Sequence, residues 1–419
     1  MESGCKILVL EIIFILIGLA TNSLAMDDIP GKRKHDLVII EDNELYQNNL
    51  CGIRIRGSIP VTIKACQIRS NGMTGIRSDK HSQVTVAGCN IFQNSTAGIN
   101  VRDAAGITIE NNRIYRNKKA GVVIWKSREK EIPVLEVKIA NNRIYNNDMA
   151  GIRTMPQPDG KVDLSIVGNS IYQNKKAGVR VENNTKLTAK GNSIYDNGTA
   201  GIVSYVSTIP PKLDIYQNRV SFNRGPGIHI VNGVKGHIGI RNNWVYNNQF
   251  SGILCGILTS IDTRLLNLEI INNTVVSNGS GKQGAGIRDE SKGKIIIMNN
   301  IVAYNYVTGI MTKRCKGYSY NLLFANGDVG NCCDDPNASP CWVERIQLGG
   351  CPEKGKGDII CDPLFVDPDR YNFYLQDESP AIDAGKEITI CNDMHFFLST
   401  GTSRNDMGAT GGPYACEKR

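Results

Sequence analysis

The stretch NNRIYRNKKAGVVI, residues 111–124, holds an Asn-rich turn, a short apolar strand, a second Asn, and an Ala-Gly followed by a β-branched run. The pattern recurs along most of the chain. Aligned on its second Asn, it gives Asn48, Asn71, Asn94, Asn117, Asn147, Asn174, Asn197, Asn223, Asn248, Asn278 and Asn305, with Asn326 closing the series. A Gly followed by Ile or Val stands four residues later at every copy from Gly52 to Gly252 and again at Gly309; one copy delays it to Gly286. The Gly-to-Gly spacings are 23, 23, 23, 30, 27, 23, 26, 25, 34 and 23, so each longer copy is a 23-residue unit with an insertion. A period of this size marks a solenoid.

Each unit divides into three short strands, as in Gly98 to Arg102, Ile107 to Ile109 and Arg113 to Tyr115. Apolar and polar residues alternate within them, and no segment between units carries a helical period. Three strands per 23 residues, repeated head to tail, predict an all-β fold: a right-handed parallel β-helix solenoid of about 12 coils. Leucine-rich repeats share the length, but their Leu-x-Leu-x-x-Asn pattern is absent. Because each repeat packs only on its neighbours, 419 residues do not imply several cores.

Three regions are expected. Residues 1–25 read as an export signal, with Lys6 before an apolar run from Ile7 to Ala20 and small residues at Ser23 and Ala25. Residues 26–326 are the repeats, and residues 327–419 a Cys-rich loop region with a C-terminal cap. Eight of the 13 Cys follow residue 314, which in an exported chain predicts disulfides and hence a disulfide-rich cap. Their spacing, Cys332-Cys333 included, fits no zinc pattern, and no metal site is predicted. The expected location is secreted, periplasmic or on the cell surface, with no membrane association after signal cleavage and a monomeric state.

The repeated polar residues have a structural task. A turn Asn stacked on the Asn of the next coil forms an amide ladder that satisfies buried backbone groups. Catalysis needs different residues at one place, whereas a ladder supplies the same residue everywhere. Cys66 and Cys89 sit where later coils have Asn112 and Asn142, as thiols within the ladder or as a bridged pair.

Function is therefore sought in what does not repeat. After each Gly, the second residue points outward, giving a column that includes Val123, Arg153, Arg180, Val203 and His229; two places on, a second column includes Trp125, Met155, Glu182, Tyr205 and Val231. Insertions follow this strand at 126–133, 155–161, 207–212 and 260–267, and loops extruded from one edge of a solenoid wall a groove. Trp125, Arg153, Arg180, Glu182 and Tyr205 are the predicted substrate-binding residues. Guanidinium groups pair bidentately with carboxylates, and flat rings stack on sugar faces. His229, in GPGIHI, and Arg180 are the candidate catalytic groups for removing a proton.

With 48 Lys+Arg against 40 Asp+Glu, the chain is basic. That charge alone does not choose among nucleic acid, anionic lipid and an acidic polysaccharide. No recognition helix or single-strand-binding signature supports nucleic acid, and the arginines interleaved with rings point to an acidic polysaccharide as partner. Glycoside hydrolysis needs two carboxylates about 5–9.5 Å apart. The acids of the Gly-strand face, Asp79, Glu182 and Glu290, are about four coils apart.

The repeat NNxIYxNxxxGI, over about residues 43–326, resembles the right-handed parallel β-helix repeats of the pectin-lyase-like superfamily. The segments DPLFVD (362–367), YLQDESPAIDAG (374–385) and NDMGATGG (405–412) resemble a C-terminal segment of exported bacterial β-helix proteins. The resemblance implies pectate or alginate lyases, polygalacturonases, mannuronan epimerases or surface proteins. The NTD, GHG and RIK motifs of the polygalacturonases and the DPH motif of the epimerases are absent, so no family catalytic residue carries over. The expected function is binding of an acidic polysaccharide, with lyase or epimerase chemistry at a uronate if the protein is an enzyme. No cofactor is expected, except calcium in the lyase case. The alternative is a non-catalytic periplasmic or cell-surface scaffold.

Overall fold

The computed structural model describes a strand at 24–26 and residues 37–412, apart from 128–132, 158, 206–211, 232–234, 257–264, 281–283, 292, 313–316, 328–344, 348–354, 387–400 and 403. Three parallel sheets of 13, 12 and 13 strands run the length of the molecule, and successive turns of the chain contribute one strand to each. The first sheet contains the strands that follow each Gly. Its register joins Ile99 to Val122, Val122 to Ile152 and Ile152 to Val179. The only helical element among the described residues is a 3-10 turn at Pro368–Arg370.

The strands form because β-branched residues alternate with polar ones, and the inward set fills the interior. Ile68, Ile91, Ile114, Ile144, Ile171 and Ile194 make one column of fully buried side chains, continued by Val220, Val245, Val275 and Val302. Each coil bends between the second and third sheets on a single left-handed residue, such as Asn111 at φ 58° and Asn141 at φ 56°, followed from Asn112 onward by a buried Asn. Asn visits this conformation at small cost, which explains the NN pairs in the repeat.

Two amide ladders run in parallel. In the first, from Asn48 to Asn326, each side chain donates Nδ2 to the Oδ1 of the next coil, for example Asn147 to Asn174 at 3.0 Å. The second runs from Asn112 to Asn321 and ends on Asp358, whose Oδ1 accepts from the Asn321 N–H at 2.9 Å. Cys66 and Cys89 are free thiols standing in this second ladder: the Cys66 N–H donates to Cys89 Sγ at 3.4 Å, and the Cys89 N–H to Asn112 Oδ1 at 2.8 Å. The thiol alternative thus holds, and no bridge forms. Hydrogen bonding to Cys66 and burial push the Cys89 thiol far up.

The C-terminal region differs from the expected disulfide-rich cap. No disulfide is found among the described residues, where Cys51, Cys66, Cys89 and Cys255 are buried thiols; the late Cys other than Cys361 lie outside the described residues. What holds the segment is apolar contact. Phe365, Phe373, Ala381, Met407 and Ala409 pack on Trp244, Tyr246, Val276, Ile301, Ala303 and Leu322, along the outer flank of the third sheet over four turns. Backbone groups of this segment bond to the left-handed turn residues beneath it: Asn242 donates to Ala409 O at 3.2 Å and Asn272 to Asp406 O at 2.8 Å. The third sheet's outer residues turn apolar at Trp244, and an apolar outer face must be covered.

At the other end, Leu24–Met26 pairs with Ile53–Ile55, so cleavage after Ala25 would cut within this strand. The rest of the predicted export signal lies outside the described residues. No helix among the described residues is long and apolar enough to cross a membrane.

Candidate functional site

On the outer face of the first sheet the sequence-derived columns hold. Val123, Arg153, Arg180, Val203, His229 and Leu254 lie side by side in register, as do Arg102 with Trp125 and Glu182 with Tyr205. Arg153 and Arg180 are brought together, but not as free cations. Both donate Nε to the same oxygen, Glu182 Oε1, at 3.1 and 2.5 Å. The carboxylate is only 16% exposed, which strengthens the charge-assisted bonds and fixes the two guanidiniums in place.

Aromatic rings border this cluster. The Arg180 guanidinium lies 4.3 Å from the centre of the Tyr205 ring, and Arg102 lies 4.2 Å from that of Trp125. The layer therefore presents three guanidiniums, two rings and one carboxylate. Arg102 was not singled out by sequence, although its place directly beside Trp125 follows from the 23-residue register. The loop after Trp125 begins on a buried pair: Lys126 Nζ is 3.3 Å from Asp103 Oδ1, which also accepts from the Ser127 N–H at 2.7 Å. Most of the loop residues expected to wall the groove lie outside the described residues.

The same two-arginine device occurs once more on this sheet, at Asp79, and a single arginine–acid pair stands at Glu290. Asp79, 5% exposed, accepts from Arg54 and Arg77 at 2.8 Å each and from Arg56 at 3.4 Å; Arg288 bonds Glu290 at 2.7 Å. The sequence signal is an arginine two places before an acid: Arg77-Ser78-Asp79, Arg180-Val181-Glu182 and Arg288-Asp289-Glu290. Residues i and i+2 share a strand face, so this spacing places each acid beside its own arginine, and for Asp79 and Glu182 also within reach of the arginine of the previous coil, whereas Arg288 has Leu254 at that position.

His229 is not beside this pair, since Val203 separates it from Arg180. Its flanking outward neighbours Val203 and Leu254 are buried, and so is Val231. Burial lowers the imidazole pKa from 6.5 to about 4, and Nε2 has no hydrogen-bond partner among the described residues. The ring is neutral at pH 7. The unfolded chain takes up a proton near pH 6.5 that the folded chain resists until about pH 4, so the neutral ring's advantage is complete above pH 6.5 and lost as pH falls. We predict that His229→Leu will flatten the fall in stability between pH 6.5 and 4 by up to roughly 3 kcal/mol, read as unfolding midpoints against pH. An unchanged slope would show that His229 titrates normally.

A second charged cluster, on the second sheet, was not anticipated. A shallow cleft of about 360 Å³ is lined by Thr188, Lys212, Asp214, Tyr216, His237 and Arg241. The Arg241 guanidinium fills the notch left by Gly239, where a Cβ would stand 2.4 Å from its Nη1. It sits between Asp214 at 3.6 Å and Glu269, one coil to either side. Two acids clasping one arginine are neutralised rather than poised for acid–base work. Among the described residues, no three His, Cys, Asp or Glu side chains converge to hold a metal ion.

Three stacked sheets, two amide ladders and one face of arginines and rings define a right-handed parallel β-helix. The family model "right handed beta helix region" matches residues 29–152 and 135–257, over half of the chain, and the protein belongs to that family. Solved structures with a similar course include the A-module of a mannuronan C-5 epimerase from Azotobacter vinelandii, 14% identical over 78% of this chain and 81% of that one, TM-score 0.44. A pectate lyase is 13% identical over 93% of this chain and 85% of that one, TM-score 0.39. A periplasmic alginate epimerase is 13% identical over 75% and 78%, TM-score 0.31. No curated protein sequence matches the chain. These likenesses assign no residue a role.

Proposed function

We propose that the protein is an exported binder of an acidic polysaccharide, which it holds against the first sheet between Arg102 and Tyr205. The observation that carries this reading is the make-up of that face: Arg153 and Arg180 share one carboxylate, Glu182, and Arg102 lies on the Trp125 ring as Arg180 does on Tyr205. Glu182 anchors the Arg153 and Arg180 guanidiniums at one oxygen and leaves the face positive, so a uronate carboxylate meets donors that are already ordered. Sugar rings have apolar faces that suit the flat surfaces of the two aromatic side chains.

Binding is favoured over lyase or epimerase chemistry by the state of the candidate catalytic groups. Arg180 is engaged by Glu182 and Tyr205, and His229 stands one strand beyond Val203. A base must reach the proton it removes.

The test is to incubate the mature protein with polygalacturonate, alginate and heparin, with and without calcium. Retention on the immobilised polymers and the absorbance of newly unsaturated uronates are measured together. Retention without new absorbance is expected. New absorbance would make the protein a lyase, and no retention on any polymer would leave the scaffold reading.

A further inference from the structure

The outer face of the third sheet carries a feature that the first-sheet reading does not use. Phe92, Tyr115, Tyr145, Tyr172 and Tyr195 occupy one register position in five consecutive turns, and their rings stack at 4.9 Å with interplanar angles of 2 to 6°. The spacing is the strand spacing, so each inner ring has both faces covered by its neighbours. Only the edges and the phenol hydroxyls face outward. Burial and the neighbouring phenols push Tyr172 and Tyr195 up, which keeps these hydroxyls protonated as donors.

Cations flank the column. Arg113 and Arg143 are exposed, lie directly opposite one another on adjacent strands, and have no acidic partner among the described residues. Two like charges in register destabilise a sheet unless something neutralises them. On the first sheet an acid does so at every such pair: Asp79 between Arg54 and Arg77, Glu182 between Arg153 and Arg180. On the other side of the ring column, the turns add Arg116, Lys118, Lys119, Lys175 and Lys176, against Asp148 and Asp196. Asp148 is taken by Lys175 at 2.8 Å. The described residues of the C-terminal segment cover the same sheet further along, as far as Tyr371 against Phe222 and Tyr246, and none of them packs on the five-ring column.

From this we infer that the third-sheet strip from Phe92 to Tyr195 is a second binding site for a polyanion, a carboxylated or sulfated polysaccharide lying along the solenoid axis. Phenol hydroxyls then repeat at the pitch of the coils over four turns, and the two guanidiniums of Arg113 and Arg143 stand beside the first two of them. Single-stranded nucleic acid needs open ring faces for its bases, and here the faces are used up by self-stacking. The strip is on a different sheet from Arg153 and Arg180, so it stands or falls independently of the function proposed above.

The test uses the full mature chain with Arg113→Ser and Arg143→Ser together. Ser occupies this register position in the next two turns, at Ser170 and Ser193, so the fold has a place for it. Affinity for immobilised polygalacturonate and heparin, and for double-stranded DNA, is measured in low salt in the wild-type chain, this variant, and Arg153→Ala with Arg180→Ala. The serine variant is expected to lose about tenfold in affinity for the polysaccharides, additional to any loss in the alanine variant, with an unchanged unfolding midpoint. Polysaccharide binding should also protect Tyr145 and Tyr172 from hydroxyl-radical oxidation. Unchanged polysaccharide affinity with no protection overturns the inference, and so does a loss confined to DNA, which would make the strip a nucleic-acid surface.

Discussion

Asn174→Ala is expected to lower the unfolding free energy by about 3–6 kcal/mol, although the residue touches no candidate site. Its Nδ2 donates to Ile144 O at 3.1 Å and to Asn197 Oδ1 at 3.0 Å. Its Oδ1 accepts from the Asn147 Nδ2 at 3.0 Å and the Asn147 N–H at 3.2 Å. Truncation removes all four bonds in a place where water has no access, since Asn147, Asn174 and Asn197 are each at most 1% exposed; Asn197 Oδ1 keeps the residue-174 N–H and Asn147 Nδ2 keeps Ile114 O. An unsatisfied buried group costs about 1–3 kcal/mol, and partial relaxation keeps the total below the simple sum. Because a solenoid couples only neighbouring repeats, the defect should also split unfolding into two transitions, one on either side of the broken rung. Urea unfolding followed by circular dichroism reads both. A loss under about 1 kcal/mol would show that water enters the turn and that the ladder is not what holds the coils together.

Gly151→Ala should be nearly as damaging for a different reason. The φ angle is ordinary; the space is missing. A Cβ at Gly151 would stand 2.6 Å from Ile171 Cγ2, 2.7 Å from Gly178 O and 3.0 Å from Asn174 Nδ2. Two of these atoms belong to the next coil's core and ladder, and the third is backbone that its own hydrogen bonds fix. Making room would require separating two coils, at about 3 kcal/mol or more. Gly191→Ala is the control. That residue has φ +62°, but nothing lies within 4 Å of a Cβ, so only the left-handed conformation of Ala is at stake, about 1–2 kcal/mol. Equal losses at the two positions would mean that the Gly column is selected for backbone freedom rather than for packing.

How much of this was legible follows from the repeat. Ladder Asn, buried Ile and packed Gly recur with the same neighbours in every coil, so one alignment places all of them. The outward columns were legible for the same reason, since a period of two along each strand and 23 residues between strands fix which residues lie side by side. What was missed depends on side-chain reach. Glu182 bridges Arg153 and Arg180 across two coils, and the R-x-E spacing that announces it has meaning only once the coils are stacked. The shelter of His229 comes from Val203 and Leu254, which the column already placed on either side of it. The apolar seat of the C-terminal segment was missed because only the Gly strand was read outward. The apolar outer residues Trp244, Ile301 and Ala303 of the third sheet announce a flank that must be covered, and with that contact no disulfide is needed to hold the described part of the segment.

Scaffold and binding are thus assigned to separate residues, and retention on immobilised polygalacturonate with parallel unfolding midpoints decides whether that division is real. Glu182→Gln removes the one carboxylate that occupies both guanidiniums, and Arg153→Ala with Arg180→Ala removes the guanidiniums themselves. Tighter retention in the first variant and weaker retention in the second, with both midpoints within about 1 kcal/mol of wild type, is the expected result. If both variants are retained like wild type, the first-sheet face is not where the polymer binds.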